Sequence, residues 1–270
     1  MLPPATRLVR AMSEIDPRAI VSAGARLGQN IRIGPFAFVG DGVELGDDCV
    51  LEPQAVVRGP ARVGRKNVFD SFSSVGGDPQ DLKFGGEHTQ VVIGDGNRFR
   101  EFSTVSRGTV GGGGVTRIGD DNLFMAYSHV AHDCIVGSHT VFANGATLAG
   151  HVTVEDFVNV GAFSPVHQFC RVGRYAYIGA CTVITQDVPP FSRVVTERDT
   201  KCYGVNSVGL ERRGFDRERL ATIERAFRLL LRSKLNTTQA LEQIRAQLNG
   251  SPDVRELVEF IESAQRGLHK

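Results

Sequence analysis

The sequence predicts a mainly β chain, a parallel β-solenoid followed by a small α-helical domain, and three observations carry that prediction. An apolar residue stands at every sixth position from Ile15 to Val75, from Ile93 to Val105 and from Ile118 to Ile184. The next place is glycine in twelve of these 26 hexads, among them Gly28, Gly34, Gly40 and Gly46, where a bare backbone can turn. The beat then stops at QDVPPF (186–191), and a helical period begins at Phe215. A beat of six is neither the 3.6 of a helix nor the two of a strand. A fixed short period marks a solenoid, in which each repeat buries its face against its neighbours. Stacked antiparallel hairpins would instead show strict alternation and Asn-Gly turns, and neither dominates here.

In chain order, residues 1–14 read as a flexible lead-in and 15–190 as the solenoid. Each hexad supplies one short strand and a corner. With three hexads to a turn there are roughly nine coils, spaced about 4.8 Å apart, and residues 18 apart stack vertically. The 26 leading residues point inward and form one continuous core. Two stretches break the beat, 81–92 (DLKFGGEHTQVV) and 111–117 (GGGGVTR). Insertions in a solenoid bulge from a corner and tend to carry function. If they add loop without shifting phase, Val75, Val105 and Val130 share one face, and both loops leave the same corner. The paired prolines 189–190 close the last strand.

Residues 191–270 then form an irregular connection (191–214) and three helices. Leu220, Ile223, Phe227 and Leu230 mark the first, with Asp216 as N-cap. Leu241, Ile244 and Leu248 mark the second, opened by Thr237; Val254, Leu257, Val258 and Ile261 mark the third, capped by Ser251 with Pro252 in the first turn. Residues 212–234 carry eight Arg or Lys against three acids, which suits an acidic partner or a solvated helix face equally.

Composition narrows the function classes. A formal charge of +1 over 270 residues gives no electrostatic case for nucleic acid or membrane binding. No apolar run approaches the ~18 residues of a membrane helix, and the N-terminus lacks the apolar core of a secretion signal. Five cysteines without paired spacing argue against a disulfide framework. Cys49, Cys134 and Cys170 fall at the fifth place of their hexads as small buried side chains, so the expected compartment is the reducing cytoplasm.

Five of the seven histidines lie within 128–168: His129, His132, His139, His151 and His167. Stacking at 18 residues sets Gly150 above His132 and His151 above Asp133, and puts His167 on the column of Ala131 and Ala149. His132, His151 and His167 therefore share one face of successive coils. A histidine works best as a general base when a neighbour orients its ring, which Asp133 can do; Gly150 can offer a bare N–H to an oxyanion. No Ser or Cys stands in a nucleophile elbow, so direct transfer fits better than a covalent intermediate. His139 falls on another face and reads as structural, His88 and His269 as surface residues, and His129 as either. A zinc site built from histidines of neighbouring subunits is the sharp competitor. No His or Cys pair stands at zinc-ligand spacing within the chain, and no metal is expected.

QDLKF (80–84), RGT (107–109), HVAHDC (129–134), LAGH (148–151), VHQF (166–169), QDVPP (186–190) and GVNSVGLERRGF (204–215), set on the hexad repeat, resemble the acyl-carrier-protein–UDP-N-acetylglucosamine O-acyltransferases that begin lipid A synthesis. The likeness covers the chain after the lead-in. It implies a left-handed parallel β-helix, a handedness that periodicity alone does not give because crossovers are normally right-handed. It also implies a homotrimer with active sites between subunits. The donor would be a (3R)-3-hydroxyacyl thioester on acyl carrier protein, with no further cofactor, and the acceptor the glucosamine 3-hydroxyl of UDP-N-acetylglucosamine. In this reading His132 is the catalytic base, Asp133 its partner and Gly150 the oxyanion donor. His151 and Gln168 touch the nucleotide sugar, with Asp81 and Lys83 from the inserted loop and Gln80 just before it; His167 stands on the acyl-phosphopantetheine side, and His129 joins the substrate-binding set. Asn206, Arg212 and Arg213 lie near nucleotide and carrier, and Ala180 sets acyl length. Three places depart from the family's pattern: Ser106 where His is common before RGT, Val208 where an acid is common, and TERDTKCY (196–203) in the connection. These leave open an acceptor with a 3-amino group, which would give an amide. Also open are the next acyltransferase of the pathway, which carries an N-terminal domain before its repeats, a trimeric zinc carbonic anhydrase, and a non-catalytic solenoid.

Overall fold

The computed structural model describes residues 13–196, 202 and 204–264. Residues 1–12 of the lead-in, most of the 196–203 connection and His269 lie outside them. The chain divides into two units, Met1–Thr196 and Glu197–Lys270.

In the first unit three parallel sheets of ten, eight and eight strands form the sides of a prism. They begin at Glu14–Ile15, Ile20–Val21 and Arg26–Leu27 in turn, and successive strands pass from one sheet to the next. The register is the one that the hexads require: Phe124 pairs with Phe142, Val130 with Leu148 and Val136 with Val154. Val75 pairs with Val105 and Val105 with Val130, so both insertions add loop and keep phase.

The leading residues fill the prism. Phe69, Phe99, Phe124 and Phe142 are buried and stack ring on ring, with centroids 4.9–5.1 Å apart. Each such pair adds about 0.5–1.5 kcal/mol beyond the burial of its area. Beside them Asn67, Asn97 and Asn122 form a buried amide ladder: Nδ2 of Asn97 donates to Oδ1 of Asn67 at 3.0 Å, and Nδ2 of Asn122 to Oδ1 of Asn97 at 2.9 Å. Buried polar groups joined in this way hold one coil above the next in register.

Most corners place a residue in the left-handed region, including Asp133 (φ 60°), His151 (φ 63°) and Phe169 (φ 66°). For residues other than glycine that conformation costs about 1–2 kcal/mol each. Here the strands on both sides impose it.

The structure departs from the hexad count in three places. The insertions span 78–89 and 107–114, because the strands Gln90–Ile93 and Val115–Ile118 begin ahead of their leading residues and pair with each other along four positions. The β-helix also continues past the prolines. Val188 bridges to Val172, and Arg193–Val194 pairs with Tyr177–Ile178. These partners are 16 residues apart, so the last turn is two residues short and escapes a strict count of six. In the second unit, α1 (Ser207–Glu211), α2 (Arg217–Arg232), α3 (Thr237–Leu248) and α4 (Pro252–Ser263) replace three expected helices with four; α1 is too short to show a period. Asp216 caps α2 and Ser251 caps α4 as expected, while Asn236, one residue before Thr237, caps α3 in a capping box with Gln239. Ala226, Leu230, Leu241, Ile244, Val254, Val258 and Ile261 close this unit's core.

Candidate active site

The site lies at the corner that follows the strand His129–Val130. On a strand, neighbours point to opposite faces. The left-handed backbone at Asp133 breaks that alternation, which lets two consecutive residues meet: Nδ1 of His132 lies 2.8 Å from Oδ2 of Asp133. A carboxylate only accepts, so Nδ1 carries the proton and Nε2 is left with a lone pair.

Asp133 is held on every side. The Thr109 N–H donates to Oδ1 at 2.8 Å and the Thr109 hydroxyl to Oδ2 at 2.6 Å. Its own N–H donates to the Thr116 hydroxyl at 2.8 Å. Its side chain is 1% exposed. A buried carboxylate needs such donors to offset lost hydration. The second insertion supplies them, and it fits closely: a Cβ on Gly112 would sit 2.0 Å from the Asp133 carboxyl carbon.

One coil above, Gly150 is buried, and its N–H meets no acceptor among the described residues. A Cβ there would lie 2.6 Å from Cε1 of His132, so the bare backbone is what admits the ring. His151 follows, its ring edge-on to His132 at 5.1 Å and its Nε2 3.8 Å from Oδ2 of Asp133. Phe169, a further coil above, stacks on His151 at 4.6 Å. His129 has its Nδ1 2.7 Å from the Thr104 hydroxyl. Burial, and then the neighbouring His132 charge, hold its pKa below the ordinary 6.5. Burial likewise pushes the Cys134 thiol up to about 12, which makes it inert packing.

The other sequence candidates are less concentrated. His167 and Gln168 are exposed at the same corner, with Nδ1 of His167 3.2 Å from the Gln168 carbonyl. Asp81 and Lys83 sit in the first insertion, where Oδ1 of Asp81 accepts from the Lys83 N–H at 3.0 Å, and Gln80 is exposed before them. Ala180 is exposed at the next corner of the prism, after Tyr177–Ile178, and not at the corner of His132. Asn206 caps α1 through the Gly209 N–H, and Arg212 ends that helix with Arg213 exposed beyond it, all in the second unit. His139 stacks on Phe157 at a third corner, and His88 is exposed. Sequence reasoning missed Thr109, Gly112, Thr116 and Phe169 as parts of the site. The signal available was the RGT that belongs to the resemblance; without the fold nothing linked it to Asp133.

His132, Asp133 and His151 each bring a potential ligand atom to within 4.8 Å of the others, so the three could also hold a metal ion. No described helix is long and apolar enough to cross a membrane.

Residues 187–269 match the family described as UDP-N-acetylglucosamine O-acyltransferase, domain 2, and residues 24–59 and 116–150 match the bacterial transferase hexapeptide repeat. The acyl-[acyl-carrier-protein]–UDP-N-acetylglucosamine O-acyltransferase of Stenotrophomonas maltophilia is 49% identical over 94% of this chain and 97% of its own length. The enzyme of the same name from Halorhodospira halophila is 48% identical over 95% and 99%. The chain belongs to this acyltransferase family. The solved structure of LpxA from Acinetobacter baumannii, 36% identical, covers 95% of this chain with a TM-score of 0.67, and the Arabidopsis UDP-N-acetylglucosamine acyltransferase, 32% identical, covers the same share with 0.60. As an acyltransferase of this family the protein is an enzyme, and its prism is the left-handed parallel β-helix of the family.

Proposed function

We propose that this acyltransferase moves a (3R)-3-hydroxyacyl chain from acyl carrier protein to the 3-hydroxyl of UDP-N-acetylglucosamine, in the cytoplasm and on the route to lipid A. The reading further takes the protein to be a homotrimer with its sites between subunits. It rests on the activity for which the relatives are named and on one geometric observation. The His132 ring is fixed by Asp133 through Nδ1, and it faces a glycine whose N–H meets no acceptor among the described residues.

In this mechanism Nε2 of His132 takes the proton of the sugar hydroxyl as its oxygen attacks the thioester carbonyl. The Gly150 N–H stabilises the negative oxygen that develops. The C–S bond then breaks, and the phosphopantetheine sulfur leaves with the proton from His132. Asp133 keeps the proton-bearing nitrogen turned away and stabilises the transient imidazolium. No group beyond the two substrates is needed to balance the step.

The test offers purified protein 3-hydroxyacyl carrier protein of several lengths with UDP-N-acetylglucosamine or its 3-amino analogue, and reads products by mass. An ester on the first sugar supports the reading. An amide on the second alone would move the acceptor to an amino sugar and point to Ser106 and Val208. In the active combination, His132→Ala should reduce turnover to below a tenth of wild type with the fold intact; a larger residual rate would remove His132 as base. Metal analysis of active protein separates the zinc alternative.

A further inference from the structure

We propose that Arg107 is a positioning residue for the acceptor loop, holding the 78–89 insertion so that Asp81 and Lys83 stand ready for the sugar nucleotide. This rests on the functional reading above and on the sugar-nucleotide contacts that the family resemblance implies for Asp81 and Lys83, and it extends both to a residue outside those contacts.

Arg107 directly follows the strand Thr104–Ser106, one coil beyond the strand Ser74–Gly77 from which the loop departs. Its backbone N–H donates to the Gly77 carbonyl at 2.9 Å, at the foot of the loop. Its guanidinium makes three further contacts. Nη2 lies 2.8 Å from Oδ1 of Asp78, Nη1 donates to the Gly59 carbonyl at 3.3 Å, and Cζ sits 5.3 Å over the Phe84 ring. One side chain thus ties down the first residue of the loop and a ring six residues later. Between them Asp81 organises a turn, its side chain accepting from the Lys83 N–H and its carbonyl from the Phe84 N–H, each at 3.0 Å. Fixing Asp78 and Phe84 therefore fixes the segment that carries Asp81 and Lys83.

The Arg107 side chain is 13% exposed, whereas Asp78 is 65% exposed. Burying a guanidinium is costly, and its Nε has no partner among the described residues. Stability alone gives little reason to spend a buried arginine on a surface aspartate. A flat fork that pairs with a carboxylate while stacking on a ring is, however, well suited to fixing a loop. The same tripeptide does both jobs of the site, since Thr109 grips Asp133 two residues later. The acceptor loop and the base are thus set by one piece of backbone.

The experiment uses the full-length enzyme and the variants Arg107→Gln, Arg107→Lys and Asp78→Asn. It measures KM for UDP-N-acetylglucosamine and for hydroxyacyl carrier protein separately, kcat, and amide hydrogen exchange across 78–89 without substrate. Arg107→Gln should raise the acceptor KM about tenfold, the equivalent of one charged hydrogen bond. The donor KM should stay put and kcat should hold within about twofold. Exchange should quicken in 78–89 and nowhere else in the β-helix. Arg107→Lys should fall between Gln and wild type, because it keeps charge and loses the fork. Equal rises in both KM values, or unchanged exchange in the loop, would overturn the proposal. If Arg107→Gln does not fold, exchange and acceptor KM in Asp78→Asn decide it. Should wild-type enzyme fail to acylate this acceptor, the functional reading fails, and loop exchange still decides whether Arg107 pins the loop.

Discussion

Replacing Thr109 with valine tests whether the second insertion serves to hold the His132–Asp133 pair in the role proposed for it. The change keeps shape and volume and removes one hydroxyl. That hydroxyl donates to Oδ2 of Asp133 at 2.6 Å, the same oxygen that accepts the hydrogen bond from Nδ1–H of His132 at 2.8 Å. Thr109 N–H on Oδ1 remains, so the carboxylate keeps its place with one donor fewer. A hydrogen bond to a charged group contributes about 1.5–3 kcal/mol, because the buried oxygen has no water to turn to. Part of that loss falls on stability; the part that lets the carboxylate swing away from His132 falls on the transition state. If half or more falls on the transition state, kcat drops about 4- to 150-fold at 1.36 kcal/mol per factor of ten. The assay is acyl transfer with both substrates saturating, alongside thermal melting and an exchange map. Thr109→Ser keeps the hydroxyl and should retain near wild-type kcat. The reasoning fails if Thr109→Val keeps kcat within twofold, or if Ser and Val lose equally.

Two further outcomes follow from the same corner. Gly150→Ala keeps the backbone N–H but places a Cβ 2.6 Å from Cε1 of His132, so it should displace the ring and reduce kcat at least about tenfold; a structure with the ring unmoved and the rate intact would refute the close fit. Burial holds the pKa of His129 below 6.5 in the folded protein, so the unfolded chain takes up its proton first as pH falls. Its contribution is complete above about pH 6.5 and is lost below it, down to the depressed folded pKa. Melting temperature should therefore fall between pH 7.5 and 5.5, more steeply in wild type than in His129→Gln, and parallel curves would count against it.

The period of six, written in residues such as Val130, Val136 and Phe142, determined the parallel β-helix and its vertical register. A leading residue must point inward on every strand, and with three hexads to a coil this stacks residues 18 apart, as the pairing of Val130 with Leu148 bears out. The same arithmetic brought Gly150 over His132 and His151 over Asp133, because equal coils turn sequence distance into height. Local capping chemistry at Asp216 and Ser251 was legible for the same reason: a cap acts within three residues. Counting failed where the coil length changes. The last turn drops two residues and hid the strand Arg193–Val194, and the insertions hid the contacts made across them. Thr109 reaches Asp133 over 24 residues, and Arg107 reaches Gly59 over 48. Only the tertiary structure decides such pairs, since a loop of irregular length has no period and its endpoint is set by which buried charge it must satisfy.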